Sequence, residues 1–212
     1  MMTSLGMLTI IAVIVTVILI FIVWRVASRV WSLPCPSLVA FALESRFYTR
    51  ITGTEKTLAR IGLKPGQRVL EIGPGPGRLL IPAAARVLPG GEVVGIDIQP
   101  GMIERLAARA RELHITNLTA ILGDATQPIV PAESFDVAFL VTTLGEIPDR
   151  AAAIAQCHRA LKPGGVLSIS EMLPDPHYQS QATVQRLAEA AGFRLVSIAG
   201  GKWLFTANFV KG

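Results

Sequence analysis

Residues 68–80 read Arg68-Val-Leu-Glu-Ile-Gly-Pro-Gly-Pro-Gly-Arg-Leu-Leu80. Val69 to Ile72 is a short apolar run bounded by the turn signal Lys64-Pro-Gly66 and by alternating glycines, which predicts a buried strand. Leu79 to Val87 predicts the helix that follows it. Gly73, Gly75 and Gly77 therefore fall on the strand-to-helix turn. Glycine there permits positive φ and lets a ligand approach the backbone, while the free amides of a helix start can donate to it.

The surrounding residues narrow the chemistry. A dinucleotide fingerprint G-x-G-x-x-G fails in both registers, because Arg78 or Leu80 stands at its third glycine. That makes a nicotinamide-dependent oxidoreductase a poor reading. A phosphate-binding loop would need Gly-Lys-Ser/Thr, and Pro74 and Pro76 remove amide donors. What stands is Glu71 two positions before the first glycine. Twenty residues past Gly77, the apolar run Glu92-Val-Val-Gly-Ile-Asp97 ends in a carboxylate suited to ribose hydroxyls or to capping the helix after Pro100. A third run, Leu118 to Leu122, leads into Gly123-Asp124-Ala125. Asp124 could accept from a base's exocyclic amine or close a turn. Three acids ending three successive strands beside a glycine turn point to one nucleoside-binding cleft.

As a set, EIGPGPG (71–77), VVGID (93–97), LGDA (122–125), FDVAFLVTTLGEIPD (135–149) and LKPGGVLSISE (161–171) resemble the Rossmann-like (class I) S-adenosylmethionine-dependent methyltransferases, type-11-like. The resemblance covers about residues 52 to 212. It implies an α/β fold, a doubly wound, seven-stranded, mostly parallel sheet with strands near 69–72, 93–97, 118–122, 135–141, 165–171, 193–199 and 203–210, the last antiparallel. A helix is expected at 179–191. It further implies that Gly73, Gly75 and Gly77 pass close to the amino-acid part of S-adenosylmethionine and that Glu71 lies under its amino group. Asp97 would hold the ribose, Ile98 pack on the adenine, Asp124 and Ala125 contact the adenine edge, and Thr142 line the methionine end.

Methyl transfer is an in-line displacement, so the protein mainly aligns donor and acceptor and excludes water. A general base helps only where the acceptor must lose a proton. Candidates are Glu146 and Asp149 after the fourth strand, and Asp175, His177 and Tyr178 after the fifth. Glu146, His177 and Tyr178 are taken as catalytic candidates, a structural role being equally open to each. Glu146 stands where many relatives place a histidine, which suits a cationic amine better than a phenol. Pro174-Asp-Pro-His-Tyr178 looks like the signature of enzymes that methylate planar nitrogens, but that signature belongs where this chain has Thr142-Thr-Leu-Gly145. His114 and His158 have no metal-ligand spacing, so no metal is expected. Cys157 is expected to be buried in a helix.

Outside this domain the composition changes. Residues 1–24 carry no charged side chain, and Leu5 to Trp24 is apolar save for Gly6, Thr9 and Thr16. Twenty helical residues reach ~30 Å, the thickness of a bilayer's hydrocarbon core. The run is too long for a signal peptide and lacks the basic residues that would precede one. A retained transmembrane helix is expected, with Trp24 and Trp31 as interfacial anchors. From Arg25 to Lys64 seven basic residues face two acidic ones, an excess equal to the whole net charge of +5. Basic flanks favour the cytoplasmic side, and the remainder of the chain is neutral, which excludes a broad nucleic-acid footprint.

The expected organisation is a membrane helix and flank over 1–31, juxtamembrane or lid helices over 32–62, and the cofactor-binding domain over 63–212. A single-pass membrane protein with its domain in the cytoplasm follows. Pro34-Cys-Pro36 breaks the chain, Cys35 is a candidate for palmitoylation, and a helix over 37–50 would be lid or membrane float. No inserted substrate domain is evident, so the acceptor pocket is expected from 32–62 and the loops 142–150 and 172–180. The expected acceptor is small and lipophilic, a phospholipid headgroup amine first. An isoprenoid quinone, a hydrophobic phenol or a thiol is the alternative, as is a non-catalytic cofactor-binding protein.

Overall fold

The computed structural model describes residues 4–31, 53–173 and 175–212. Helix α1 (Ser4–Trp31) comes first. Then follow α2 (Thr54–Ile61), β1 (Arg68–Ile72), α3 (Leu80–Arg86), β2 (Glu92–Asp97), α4 (Pro100–Glu112), β3 (Leu118–Leu122) and β4 (Phe135–Val141). A 3-10 turn (Leu144–Glu146) leads to α5 (Arg150–Ala160), β5 (Leu161–Met172), α6 (Gln181–Ala190), β6 (Phe193–Gly201) and β7 (Leu204–Lys211).

The strands form one seven-stranded sheet in the order β3-β2-β1-β4-β5-β7-β6. β1 to β5 run parallel, and β7 is antiparallel to both β5 and β6, as expected for the final hairpin. The central strands alternate their side chains between two covered faces. Val69, Val93, Val137 and Phe139 meet α2, α3 and α4 through Leu58, Leu80 and Leu106. Leu70, Ala138, Leu140 and Leu167 meet α5 and α6 through Ile154, Cys157, Val184 and Ala188. Phe135, Phe139, Phe205 and Phe209 are fully buried. Each such ring adds roughly 1.5–3 kcal/mol over leaving it in water. Cys157 is buried in α5, as expected.

The strand order reverses between β1 and β4. Two parallel strands whose connections leave in opposite directions open a crevice at their carboxyl ends, and ligands bind in such crevices. Here the crevice lies above Ile72 and Val141, beside the glycine turn.

α1 covers the segment expected to span a bilayer. Taken over the described residues, no helix is long and apolar enough to cross a membrane. The expected transmembrane helix is thus not found among them. The described side chains of α1 include Met7, Leu8, Ile10, Leu19, Ile20 and Val23, all about half exposed or more. The expected helix over 37–50, Cys35 and the greater part of the 32–62 segment lie outside the described residues; α2 is its described end.

Candidate active site

A cavity of about 420 Å³ occupies the crevice. Glu71, Gly73, Gly75, Asp97, Ile98, Asp124, Ala125 and Thr142 all line it. Eight of the nine residues expected to bind a cofactor therefore converge on one space. Gly77 does not. At φ +88° it turns inward, where an added Cβ would stand 2.5 Å from Leu106 Cδ1 and 2.9 Å from Ile81 Cδ1. It packs the turn closely against α4.

Glu71 is on β1, 2% exposed, with Oε2 buried and unpartnered. Burial raises its pKa to about 8, with the Arg78 guanidinium opposing and the Asp97 carboxylate adding to the rise. A buried carboxyl with an unsatisfied oxygen at a cavity wall is positioned for a cation. Asp97 ends β2. Its Oδ2 accepts from the Gly75 amide at 3.1 Å and its Oδ1 from the Gln99 amide at 2.9 Å. The same side chain thus fastens the glycine turn to β2 and starts the turn into α4. Burial raises the Asp97 pKa, and these backbone donors hold it down. The Ile98 amide is a third backbone donor to this carboxylate, which leaves acceptor capacity for a ligand hydroxyl.

Asp124 fulfils its turn-closing alternative with one oxygen. Oδ1 accepts from the Thr126 amide at 2.9 Å and from its hydroxyl at 2.8 Å. The residue still lines the cavity. Ile98 is 60% exposed there, a flat apolar surface beside Asp97. Thr142 sits at φ +55°, unusual for a β-branched residue, with its amide donating to Ser170 O at 2.9 Å. Thr143, which the sequence reading passed over, closes on Gly73: a Cβ on that glycine, at φ +69°, would overlap the threonine side chain. Arg78 was quoted in the motif without a role; it lines the cavity and donates to Thr54 Oγ1 at 3.2 Å.

The expected catalytic residues separate. Glu146 lines this cavity, as does Asp149, whose carboxylate caps α5 by accepting from the Ala152 amide at 2.9 Å. His177 and Tyr178 do not line it. They line a second cavity of about 410 Å³ together with Gly145, Arg150, Gln179, Ser180 and Thr183. The expectation that both face the methyl-donor pocket is corrected. The physical reason is Gly145: a Cβ there would overlap the His177 carbonyl, so the two loops pack directly and turn His177 and Tyr178 to a second cavity that adjoins the first at Glu146. His177 Nδ1 lies 4.0 Å from Glu146 Oε1 and 3.8 Å from Asp175 Oδ1. Tyr178 donates its hydroxyl to Lys202 O at 2.7 Å. Burial lowers the His177 pKa and raises that of Tyr178.

Glu171 lies near the end of β5, beneath these loops. It is 1% exposed, and burial pushes its pKa well above the ordinary range. Among the described residues no group of three or more His, Cys, Asp or Glu side chains is placed to hold a metal.

Residues 63–199 match a family model described as a methyltransferase domain. Nocamycin O-methyltransferase from Saccharothrix syringae is 40% identical over 119 residues, 56% of this chain and 42% of that one. Demethylmenaquinone methyltransferase from Geobacillus sp. strain WCH70 is 28% identical over 119 residues, 56% of this chain and 51% of that one. The chain thus spans about half the length of these curated relatives. A solved S-adenosylmethionine-dependent methyltransferase from Aquifex aeolicus has the same fold, with TM-score 0.78 and 23% identity over 84% of this chain and 100% of that one.

Proposed function

Since the chain belongs to this methyltransferase-domain family, we propose that it transfers a methyl group from S-adenosylmethionine to a small, lipophilic acceptor at a membrane surface. The observation that carries the reading is the first cavity. One wall holds the unpartnered, buried Glu71 oxygen, and Asp97 and Asp124 stand along the floor.

The residues present fit the cofactor. Glu71 answers a cationic amino group, Asp97 retains acceptor capacity for the ribose, and Ile98 offers a face for adenine. Gly73 leaves no room for a side chain between the turn and Thr143. When bound, the cofactor supplies an electrophilic methyl on a sulfonium. The protein's part is to hold that cavity dry and fix the acceptor in line. Glu146, at the cavity's edge, would orient an amine and take its proton.

A phospholipid headgroup amine is the preferred acceptor, since the cavity's polar groups are chiefly carboxylates, complementary to a cation. A ring hydroxyl of an isoprenoid quinone is the second reading, favoured by the name of the Geobacillus relative. A membrane location for either is supported by α1. Its 28 residues reach ~42 Å along the axis, more than the ~30 Å of a hydrocarbon core. Exposed apolar side chains such as Leu8, Ile20 and Val23 favour an apolar surrounding for this helix. The basic excess after α1 sets the proposed orientation, with the domain in the cytoplasm.

The test is incubation of membranes carrying the chain with methyl-labelled cofactor, followed by solvent extraction. Label in the lipid phase is expected, in an amine-bearing or a quinone fraction. Label only in protein or nucleic acid overturns the lipid acceptor.

A further inference from the structure

The second cavity is assigned no role by the family resemblance or by the relatives. It is built from the start of α5, the loop after β5 and the first turn of α6. Four features of it point the same way. Arg150 reaches it with Nε buried and unpartnered, while its Nη2 is fixed by donating to Gly145 O at 3.1 Å. His177 is 5% exposed, and its Nε2 is likewise buried without a partner. Ser180 caps α6, its Oγ accepting from the Thr183 amide at 3.1 Å and lying 2.9 Å from Thr183 Oγ1. The first-turn amides of Gln181 and Ala182 have no intrahelical acceptor, and the helix dipole is positive there.

A guanidinium, an imidazole, two hydroxyls and a helix N-terminus around one space make an anion site. Two of the three nearby carboxylates sit on the other side of the ring, and the third, Glu171, interacts with Arg150 from beneath the cavity. Glu146 and Asp175 face His177 Nδ1, not Nε2, and Asp175 Oδ1 also accepts from the His177 amide at 2.7 Å. Glu171 is buried beneath, with the Gln179 amide donating to its Oε2 at 3.3 Å. At 3.8 and 4.0 Å neither carboxylate accepts a hydrogen bond from Nδ1, so the neutral ring can carry its proton on the unpartnered Nε2 and donate it to an anion.

We propose that this second cavity binds a phosphate group of the acceptor, with Arg150, His177 and the α6 N-terminus as its donors. The purpose assigned to it rests on the methyltransferase reading: Glu146 lies in the first cavity and touches His177 of the second, so a phosphate held at Arg150 sets an amine two carbons away toward Glu146. Phosphorylated ethanolamine, free or as a lipid headgroup, has that chemistry.

The experiment is titration of the full chain in detergent with phosphoethanolamine and with inorganic phosphate, followed by calorimetry and ³¹P line broadening. S-adenosylhomocysteine affinity is measured alongside. Arg150→Gln is expected to weaken phosphoethanolamine roughly tenfold or more and to leave S-adenosylhomocysteine within about twofold. Thr183→Asp is the second variant. An acid in the first turn of a helix does not harm folding, and it places a like charge in the cavity, so phosphate binding is expected to be lost with the cofactor site intact. Phosphoethanolamine binding unchanged in both variants overturns the proposal. So does no phosphate binding by a wild-type chain that holds S-adenosylhomocysteine, and the methyltransferase reading then stands. Failure to bind S-adenosylhomocysteine, with phosphate bound as expected, overturns that reading and not the anion site. Displacement of the probe by phosphatidylethanolamine bicelles identifies a lipid source; displacement by the soluble ester alone identifies a free one.

Discussion

The two cavities differ in how they are made. The first is lined by the ends of parallel strands and the turns that directly follow them, so Glu71, Asp97, Asp124 and Thr142 each sit at a fixed offset from an apolar run. The second is assembled where three loops meet, from Gly145, Arg150, His177 and the cap of α6. A parallel sheet aligns the carboxyl ends of its strands whatever the loops do. Loop packing depends on single close contacts, here Gly145 against the His177 carbonyl. The first kind of site is stiff and locally encoded; the second can change with one residue.

The largest expected effect sharpens that contrast at Glu71. A carboxyl that ionises near 4.5 unfolded and near 8 folded holds its proton more tightly in the native state. Its contribution to stability is complete below pH 4.5 and is lost as pH rises to 8. Glu71→Gln should leave stability unchanged at pH 4 and raise it by roughly 3–5 kcal/mol at pH 9, read by denaturant unfolding without ligand. Parallel wild-type and variant curves from pH 4 to 9 would show that the first cavity does not desolvate this acid.

Asp97→Ala comes next. It removes the acceptor for the Gly75 and Gln99 amides and for the proposed ribose hydroxyls. Two hydrogen bonds to a charged group at ~1.5–3 kcal/mol each correspond to a loss of S-adenosylhomocysteine affinity of about 100-fold or more. Arg150→Gln, in the other cavity, should leave that affinity nearly untouched. Equal losses in the two variants would break the separation of the cavities.

Much of this was legible in sequence, for reasons that particular residues make plain. Strands β3 and β4 fall at the expected 118–122 and 135–141, because both are apolar runs ended by turn residues. β5 starts at Leu161 and not near 165, because Leu161 pairs with Phe135 ahead of a register shift that no local pattern announces. Glu171 reads as an ordinary strand-end acid. Its burial follows from β5 lying between β4 and β7 with both faces covered, which is a tertiary fact. Gly77 reads like its two neighbours, and only the position of Leu106 shows how tightly its turn packs on α4. His177 lies in a loop that the sequence correctly brings to the carboxyl edge. Which side of Gly145 it falls on is not encoded nearby.

Gly73→Ala tests the stiffness of the first cavity. The alanine must adopt φ near +69° and meet the Thr143 side chain. Roughly 2–3 kcal/mol of destabilisation is expected in thermal melts, the backbone share being ~1 kcal/mol. In a Thr143→Ala background the steric share should return and the backbone share remain, a coupling that a double-mutant cycle measures. Full additivity would mean that the turn yields as readily as a loop.

Asp124→Asn carries the smallest effect and decides between two roles that one carboxylate can combine. Oδ1 already closes the turn with the Thr126 amide and hydroxyl, and an asparagine carbonyl can accept both bonds equally well. Stability should therefore stay within about 0.5 kcal/mol of wild type. What the substitution removes is negative charge facing the cavity, so S-adenosylhomocysteine affinity should fall by roughly 5–10-fold, about 1 kcal/mol. Asp124→Ala should lose both properties. If the asparagine variant instead binds as well as wild type while the alanine variant merely melts earlier, the residue closes a turn and nothing more. The first cavity then grips its ligand through Glu71 and Asp97 alone, and its third strand contributes shape without charge.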